Sequence, residues 1–163
     1  MNTMTTERII SIRGLFRISR PINLLIVGFA QLMTAYFLVK TTITGLPVLQ
    51  DYNLYLIIIS TLLITAAGYM INDYYDVKID YVNRPGNVVV GKGIKRRMVI
   101  FLHTILNFTA VGLGLLVSPS IAIINFGAAF LLWIYTNQLT REPFIGNITV
   151  DLLTGVSIYL IGF

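Results

Sequence analysis

The stretch Asn72-Asp73-Tyr74-Tyr75-Asp76-Val77-Lys78-Ile79-Asp80-Tyr81-Val82-Asn83-Arg84-Pro85 follows directly on a long apolar run, Leu54 to Ile71. It holds three of the seven acidic residues in the chain. Carboxylates beside a membrane helix are costly unless something pairs with them. Asn72, Asp76 and Asp80 are spaced by four, and each step of four turns a helix by only about 40° beyond a full revolution, so the spacing predicts one face. Each step also rises about 6 Å, close enough for the carboxylates to repel and weaken a bare helix. A divalent cation converts that repulsion into ligation. Mg²⁺ is the natural candidate because it takes a few carboxylates together with phosphate oxygens. The plain alternative is a solvated, purely structural charge cluster. Three polar groups on one face, with Asn83-Arg84-Pro85 and a basic segment behind them, favour a diphosphate site.

Composition sets the class. Of 163 residues, 56% are hydrophobic and only 12% charged, where a soluble domain carries about a quarter. Mean hydropathy is +0.79. The chain therefore reads as an all-α integral membrane bundle, one domain over 1–163. With no cysteine there is no disulfide, thiolate nucleophile or zinc–thiolate site, and a single histidine, His103, excludes a multi-histidine metal centre. No cleavable signal peptide is evident. The first apolar run follows a long basic lead-in without a convincing cleavage site.

Working outward, residues 1–20 interleave Arg8, Arg13, Arg17 and Arg20 with apolar residues at helical spacing, which predicts an interfacial amphipathic helix on membrane lipid. Pro21 can open the first span, about Ile22 to Val39. The second span runs about Leu54 to Asn72, with Gly68 allowing a close helix contact. The third runs about Met98 to Val117 and the fourth about Ile121 to Tyr135, joined by a short Ser118-Pro119-Ser120 turn. A fifth apolar run, Ile148 to Phe163, reaches the last residue. Gln31, Asn23, His103 and Asn107 are expected to hydrogen-bond to neighbouring helices, and Trp133 and Tyr135 to anchor at the interface. Asp151, about one turn into the fifth run, is left without an assigned role. Lys and Arg concentrate in the N-terminal segment and in the 73–97 loop, with Lys40 alone on the opposite side. That asymmetry places the N-terminus and the acidic motif in the cytoplasm.

Asn72-Asp73-x-x-Asp76-x-x-x-Asp80 with Asn83-Arg84-Pro85 resembles the first aspartate-rich motif of the UbiA superfamily of intramembrane prenyltransferases. Arg20-Pro21 resembles that family's lead into its first helix. Tyr135 to Asn147, with Tyr-x-x-x-Leu-x-Arg and Gly146-Asn147, resembles the segment after its fourth. Val88-Val89-Val90-Gly91-Lys92 and Gly146-Asn147-Ile148 are most similar to the branch containing digeranylgeranylglyceryl phosphate synthases. The resemblance implies a ring of nine transmembrane helices in a bacterial or archaeal cell membrane, of which about five are present here. It implies Mg²⁺-dependent transfer of a prenyl group from a prenyl diphosphate to a lipophilic acceptor, possible examples being geranylgeranylglyceryl phosphate and an aromatic ring, with no nucleic acid involved. Carried over by residue, Asp76 and Asp80 are the catalytic pair, and Asn72, Asp73, Asp76 and Asp80 are the metal set. Arg20, Asn23, Arg84 and Lys92 are the diphosphate-binding set. The chain departs from the family pattern at Gly86-Asn87-Val88, where a second Arg-Pro is usual, and at Thr140, where a lysine often stands. The family's second aspartate-rich motif would lie beyond Phe163, so the chain is expected to be an N-terminal part, with activity on its own in doubt. A small membrane transporter and a non-catalytic membrane partner are the competing readings. Acceptor identity, donor length and oligomeric state are not encoded in these motifs.

Overall fold

The computed structural model describes residues 12–38, 48–83, 88–138 and 152–162. Among them the chain is helical, apart from turns, short 3₁₀ pieces and one isolated bridge between Val90 and Ile94. The helices are α1 (Ile12–Ser19), α2 (Pro21–Leu38), α3 (Tyr52–Tyr75), α4 (Val77–Asn83), α5 (Arg96–Val117), α6 (Pro119–Gln138) and α7 (Leu152–Gly162), the last closing on a 3₁₀ turn. Four of them, α2, α3, α5 and α6, are long and apolar enough to cross a bilayer. The fifth apolar run appears as α7, whose rise of about 16 Å is roughly half the thickness of a hydrocarbon core. The interfacial helix expected over 1–20 is described only from Ile12. Its earlier residues, and Asp151 and Thr140, lie outside the described residues.

Helix α3 is the hub. It packs against α5, α6, α2, α1 and α4, and 67% of its apolar window is buried, against 22% or less in the other three spans. It starts two residues earlier than the apolar run because Asp51 caps it, its carboxylate accepting from Asn53 N–H at 2.9 Å. At Gly68 an added Cβ would stand 3.1 Å from Leu132 of α6, so the expected close approach is to that helix. His103 of α5 reaches the Ala67 carbonyl of α3 at 3.0 Å. The turn between α5 and α6 contracts to Ser118 alone. Its hydroxyl accepts from Ile121 N–H at 3.2 Å, and Pro119 takes the first helical position, where its missing N–H costs nothing.

Two apolar clusters pin the ends of this bundle. One gathers Ala35, Leu54, Ile58, Ile121 and Leu160 from α2, α3, α6 and α7. The other gathers Ile18, Met70, Val77, Val90, Ile94 and Val99 around the acidic end of α3. The outward faces carry Leu25, Phe29, Phe101, Phe108, Phe126 and Phe130, all exposed. So large an apolar surface suits lipid rather than water.

The α5–α6 hairpin depends on Gly114. A Cβ there would fall 2.7 Å from Asn125 Nδ2 and 3.1 Å from the Ala122 backbone, while Asn125 Nδ2 donates to the Ala110 carbonyl at 3.1 Å. The side chain could shift, but the backbone could not. Gly114→Ala is therefore expected to lower stability by about 1–3 kcal/mol, more than alanine's helix preference returns. Denaturation of the purified protein in mixed micelles measures it.

Candidate functional site

The acidic end of α3 keeps its helical register through a one-residue break. Asp76 ends α3 with φ −78° and ψ −2°, yet its N–H still bonds the Asn72 carbonyl at 3.0 Å, and Asp80 N–H bonds the Asp76 carbonyl at 2.8 Å. The i to i−4 ladder thus links Asn72, Asp76 and Asp80 across the junction into α4, which is how the spacing of four survives. The Asn72 amide donates to Asp76 Oδ2 at 2.8 Å. Burial, and next the charge of Asp80, push the Asp76 carboxyl above its usual value, against the opposing pull of Asn72 and Arg20. A cation beside Asp76 and Asp80 would reverse the repulsion between them.

Asp73 has a different partner. Arg20 Nη2 donates to Asp73 Oδ1 at 2.9 Å, and the guanidinium lies 4.8 Å from the centroid of the Tyr69 ring. Arg20 sits between α1 and α2 with φ 49°. Left-handed backbone is uncommon for a side chain of this size, and the following proline disfavours the right-handed helical region for this residue. Arg20 nonetheless anchors α2, its carbonyl accepting from Asn23 and Leu24 N–H. Such strain is often concentrated at functional sites.

The basic loop folds back as a tight turn. Val89 O accepts from Gly93 and Ile94, and Gly91 takes φ 91°, a conformation that suits a residue without Cβ. This turn sets Lys92 Nζ 4.9 Å from the Tyr81 ring, on the residue after Asp80. Arg96 stacks on Tyr74 at 4.5 Å. Sequence reasoning counted Arg96 only as loop charge.

A cavity of about 450 Å³ opens between α2, α3, α6 and α7, with Arg20, Tyr69 and Asn72 in its wall. Along α3 the lining continues through Thr65 to Thr61, a stretch rising about 16 Å from the Asn72 level. Gln31, Asn125 and Ser157 line it from the other helices. Of the candidates from the sequence, then, Arg20 and Asn72 line the cavity. Asp76 and Asp73 are joined to them by hydrogen bonds, and Asp80 follows one turn on. Asn23 is exposed and does not line it; Lys92 packs on α4; Arg84 lies outside the described residues. Tyr69 was missed, although its position three residues before Asn72 places it on the same face.

Among the described residues no three Asp, Glu, His or Cys side chains come together as a metal group. The oxygen donors here, Asp76, Asp80 and the Asn72 amide, are all hard. Two carboxylates are what Mg²⁺ takes when substrate phosphate completes its shell. The residues therefore fit Mg²⁺ held jointly with a diphosphate, and do not form an all-protein cage.

A sequence model of the UbiA prenyltransferase family matches residues 22–163. Digeranylgeranylglyceryl phosphate synthase of Methanoregula boonei is 33% identical over 154 residues, covering 93% of this chain and 51% of the relative. The enzyme of the same name from Pyrococcus horikoshii is 32% identical over 145 residues, covering 89% and 50%. A solved structure from work on digeranylgeranylglyceryl phosphate synthase in membranes superposes with a TM-score of 0.78 at 23% identity, over 93% of this chain and 52% of that one. That likeness shows the fold. The chain spans about half the length of the curated relatives it matches.

Proposed function

The chain belongs to the UbiA prenyltransferase family, and we propose that it serves Mg²⁺-dependent transfer of a prenyl group from a prenyl diphosphate to a lipophilic acceptor inside the membrane. The observation that carries this reading is the junction of two features in one place. The Asn72 amide and the guanidinium of Arg20 line a cavity whose walls are otherwise largely apolar, and the carboxylates of Asp76, bonded to Asn72, and of Asp80 continue from that wall. An isoprenoid diphosphate has the matching polarity, a polyanionic head on a hydrocarbon tail.

In this reading the bond between the allylic carbon and the diphosphate oxygen breaks, the diphosphate leaves with the electron pair, and the acceptor oxygen or carbon bonds to the allylic carbon and loses a proton. Mg²⁺ would be held by Asp76 and Asp80 with Asn72 in support, and when bound it neutralises charge on the leaving diphosphate. Arg20 binds the same oxygens with planar donors. Tyr69 and Asp73 hold Arg20 at the mouth until the head group arrives. Donors placed where charge develops are usually the largest catalytic contribution. Lys92 and Arg84 are proposed as further diphosphate-binding residues, and the acidic end is proposed to face the cytoplasm.

The finer proposal takes the relatives' name as its guide: the acceptor is geranylgeranylglyceryl phosphate and the donor geranylgeranyl diphosphate. Of the described acidic residues, Asp51, Asp73 and Asp76 stand at the ends of α3 and Asp80 in the short α4 beyond it, none at mid-depth of a span, which disfavours a cation path through them. Titration calorimetry on the protein in lipid nanodiscs tests the binding step. Geranylgeranyl diphosphate is expected to bind with Mg²⁺ and to lose at least tenfold in affinity with EDTA. Affinity that ignores Mg²⁺ would overturn the assignment of the acids. Mass spectrometry for the coupled lipid after addition of geranylgeranylglyceryl phosphate tests the transfer.

A further inference from the structure

Gln31 of α2 is 1% exposed and lines the cavity. Its Nε2 donates to the Ser157 carbonyl of α7 at 2.8 Å and to Thr61 Oγ1 of α3 at 3.2 Å. The amide orientation follows from these partners. A carbonyl can only accept, so the nitrogen must face Ser157. Thr61 Oγ1 already donates to Ile57 O at 3.0 Å, which leaves it an acceptor towards Gln31. Both amide protons are thereby used, and Oε1 is buried with no partner among the described residues. The neighbouring hydroxyls cannot help, because Thr65 donates to Thr61 O at 2.8 Å and Ser157 donates to Thr154 O at 2.8 Å. This level of the cavity is rich in acceptors and short of donors.

A buried acceptor left unmatched is expensive, and the usual remedy is an ordered water in an adjoining polar space. Oε1 is closed off in this structure, and water from the cavity supplies the missing proton only when the Gln31 side chain swings towards it. A hydrocarbon tail supplies none, and one that reaches Gln31 seals the amide oxygen away from any donor. The layer of Gln31, Thr61 and Ser157 lies about 16 Å along α3 from the Asn72 level. We propose that this layer is a polar floor that limits how far an apolar tail can enter the cavity, making Gln31 a specificity-determining residue for the length of the isoprenoid donor. The inference rests on reading the cavity as an isoprenoid diphosphate site, and it adds the residue that decides which tails fit.

Calorimetry with geranyl, farnesyl and geranylgeranyl diphosphates, each with Mg²⁺, on the protein in nanodiscs tests it. In the wild type, affinity is expected to rise with tail length and then level off. In Gln31→Met, similar in length but without the acceptor, the longest tail is expected to gain about tenfold over the shortest relative to wild type, the size set by stranding one buried acceptor. Gln31→Leu provides the same comparison if Gln31→Met does not fold. Thr61→Val takes one polar member out of the floor but leaves Oε1 in place, so it should shift the length profile in the same direction by less than Gln31→Met does. An unchanged profile in both Gln31 variants overturns the inference, as does a shift in Thr61→Val as large as that in Gln31→Met, which would show that Oε1 is not what stops the tail. Absence of binding by all three diphosphates in the wild type would sink the proposed function, and this inference with it.

Discussion

Asp76→Ala is expected to lower Mg²⁺-dependent affinity for geranylgeranyl diphosphate about a hundredfold, the usual scale for removing a principal electrostatic contact at such a site. Asp76 is the middle member of the linked series, accepting from Asn72 at 2.8 Å and standing one helical turn before Asp80. Its carboxyl is pushed upward in pKa first by burial and next by Asp80. A charge held in that environment without a counter-ion is destabilising, and the cation is what relieves it. Asp76→Asn separates charge from shape. It keeps a planar oxygen beside Asn72 and should lose nearly as much as Asp76→Ala. In EDTA both variants should bind the diphosphate at least as well as the wild type, because a carboxylate facing the phosphates has gone. Calorimetry with and without Mg²⁺ reads both signs. A variant that retains the full Mg²⁺ effect would remove Asp76 from the metal set.

The linear pattern carried this end of the molecule because a spacing of four survives a small helix break when the backbone ladder continues. It also placed the four long apolar helices to within a few residues, since hydropathy and length decide a membrane span before tertiary contacts do. The start of α3 moved to Tyr52 through a side-chain cap at Asp51, a local effect that hydropathy does not register. Other features needed three dimensions. Periodicity assigns a residue to a face but does not name its partner. Nothing in the order of residues indicates that Arg20 reaches Asp73, 53 positions away, or that its backbone turns left-handed before Pro21. Gln31 was legible as an interhelical hydrogen-bonding residue, and it does bond to α3 and α7. Its unmatched oxygen became visible only when both recipients of its protons were known. The apolar run from Ile148 is described from Leu152 as α7, which packs its end into the cluster with Ala35 and Leu54, a partner that hydropathy does not name.

Arg20 offers a second test, in which stability and binding should part company. Its ion pair with Asp73 is partly exposed, with side-chain exposures of 43% and 23%, and pairs of that kind contribute about 0–1 kcal/mol. Its φ of 49° costs a comparable amount, about 1–2 kcal/mol, which glycine would not incur. Arg20→Gly should therefore leave the unfolding midpoint nearly unchanged. The same substitution removes the guanidinium from the cavity mouth, and geranylgeranyl diphosphate affinity should fall about tenfold to a hundredfold. Arg20→Lys keeps the charge but not the planar fork and should fall between. Asp73→Asn tests the opposite side of the pair. With its tether weakened, Arg20 is freer to meet the phosphates, so affinity in EDTA should rise a few-fold, while a loss of the Mg²⁺ effect would show that Asp73 also serves in the metal set. Thermal unfolding and calorimetry on the same preparations decide the matter. If Arg20→Gly binds the diphosphate as tightly as wild type, Arg20 is a structural hinge between α1 and α2, and the head group must be held elsewhere.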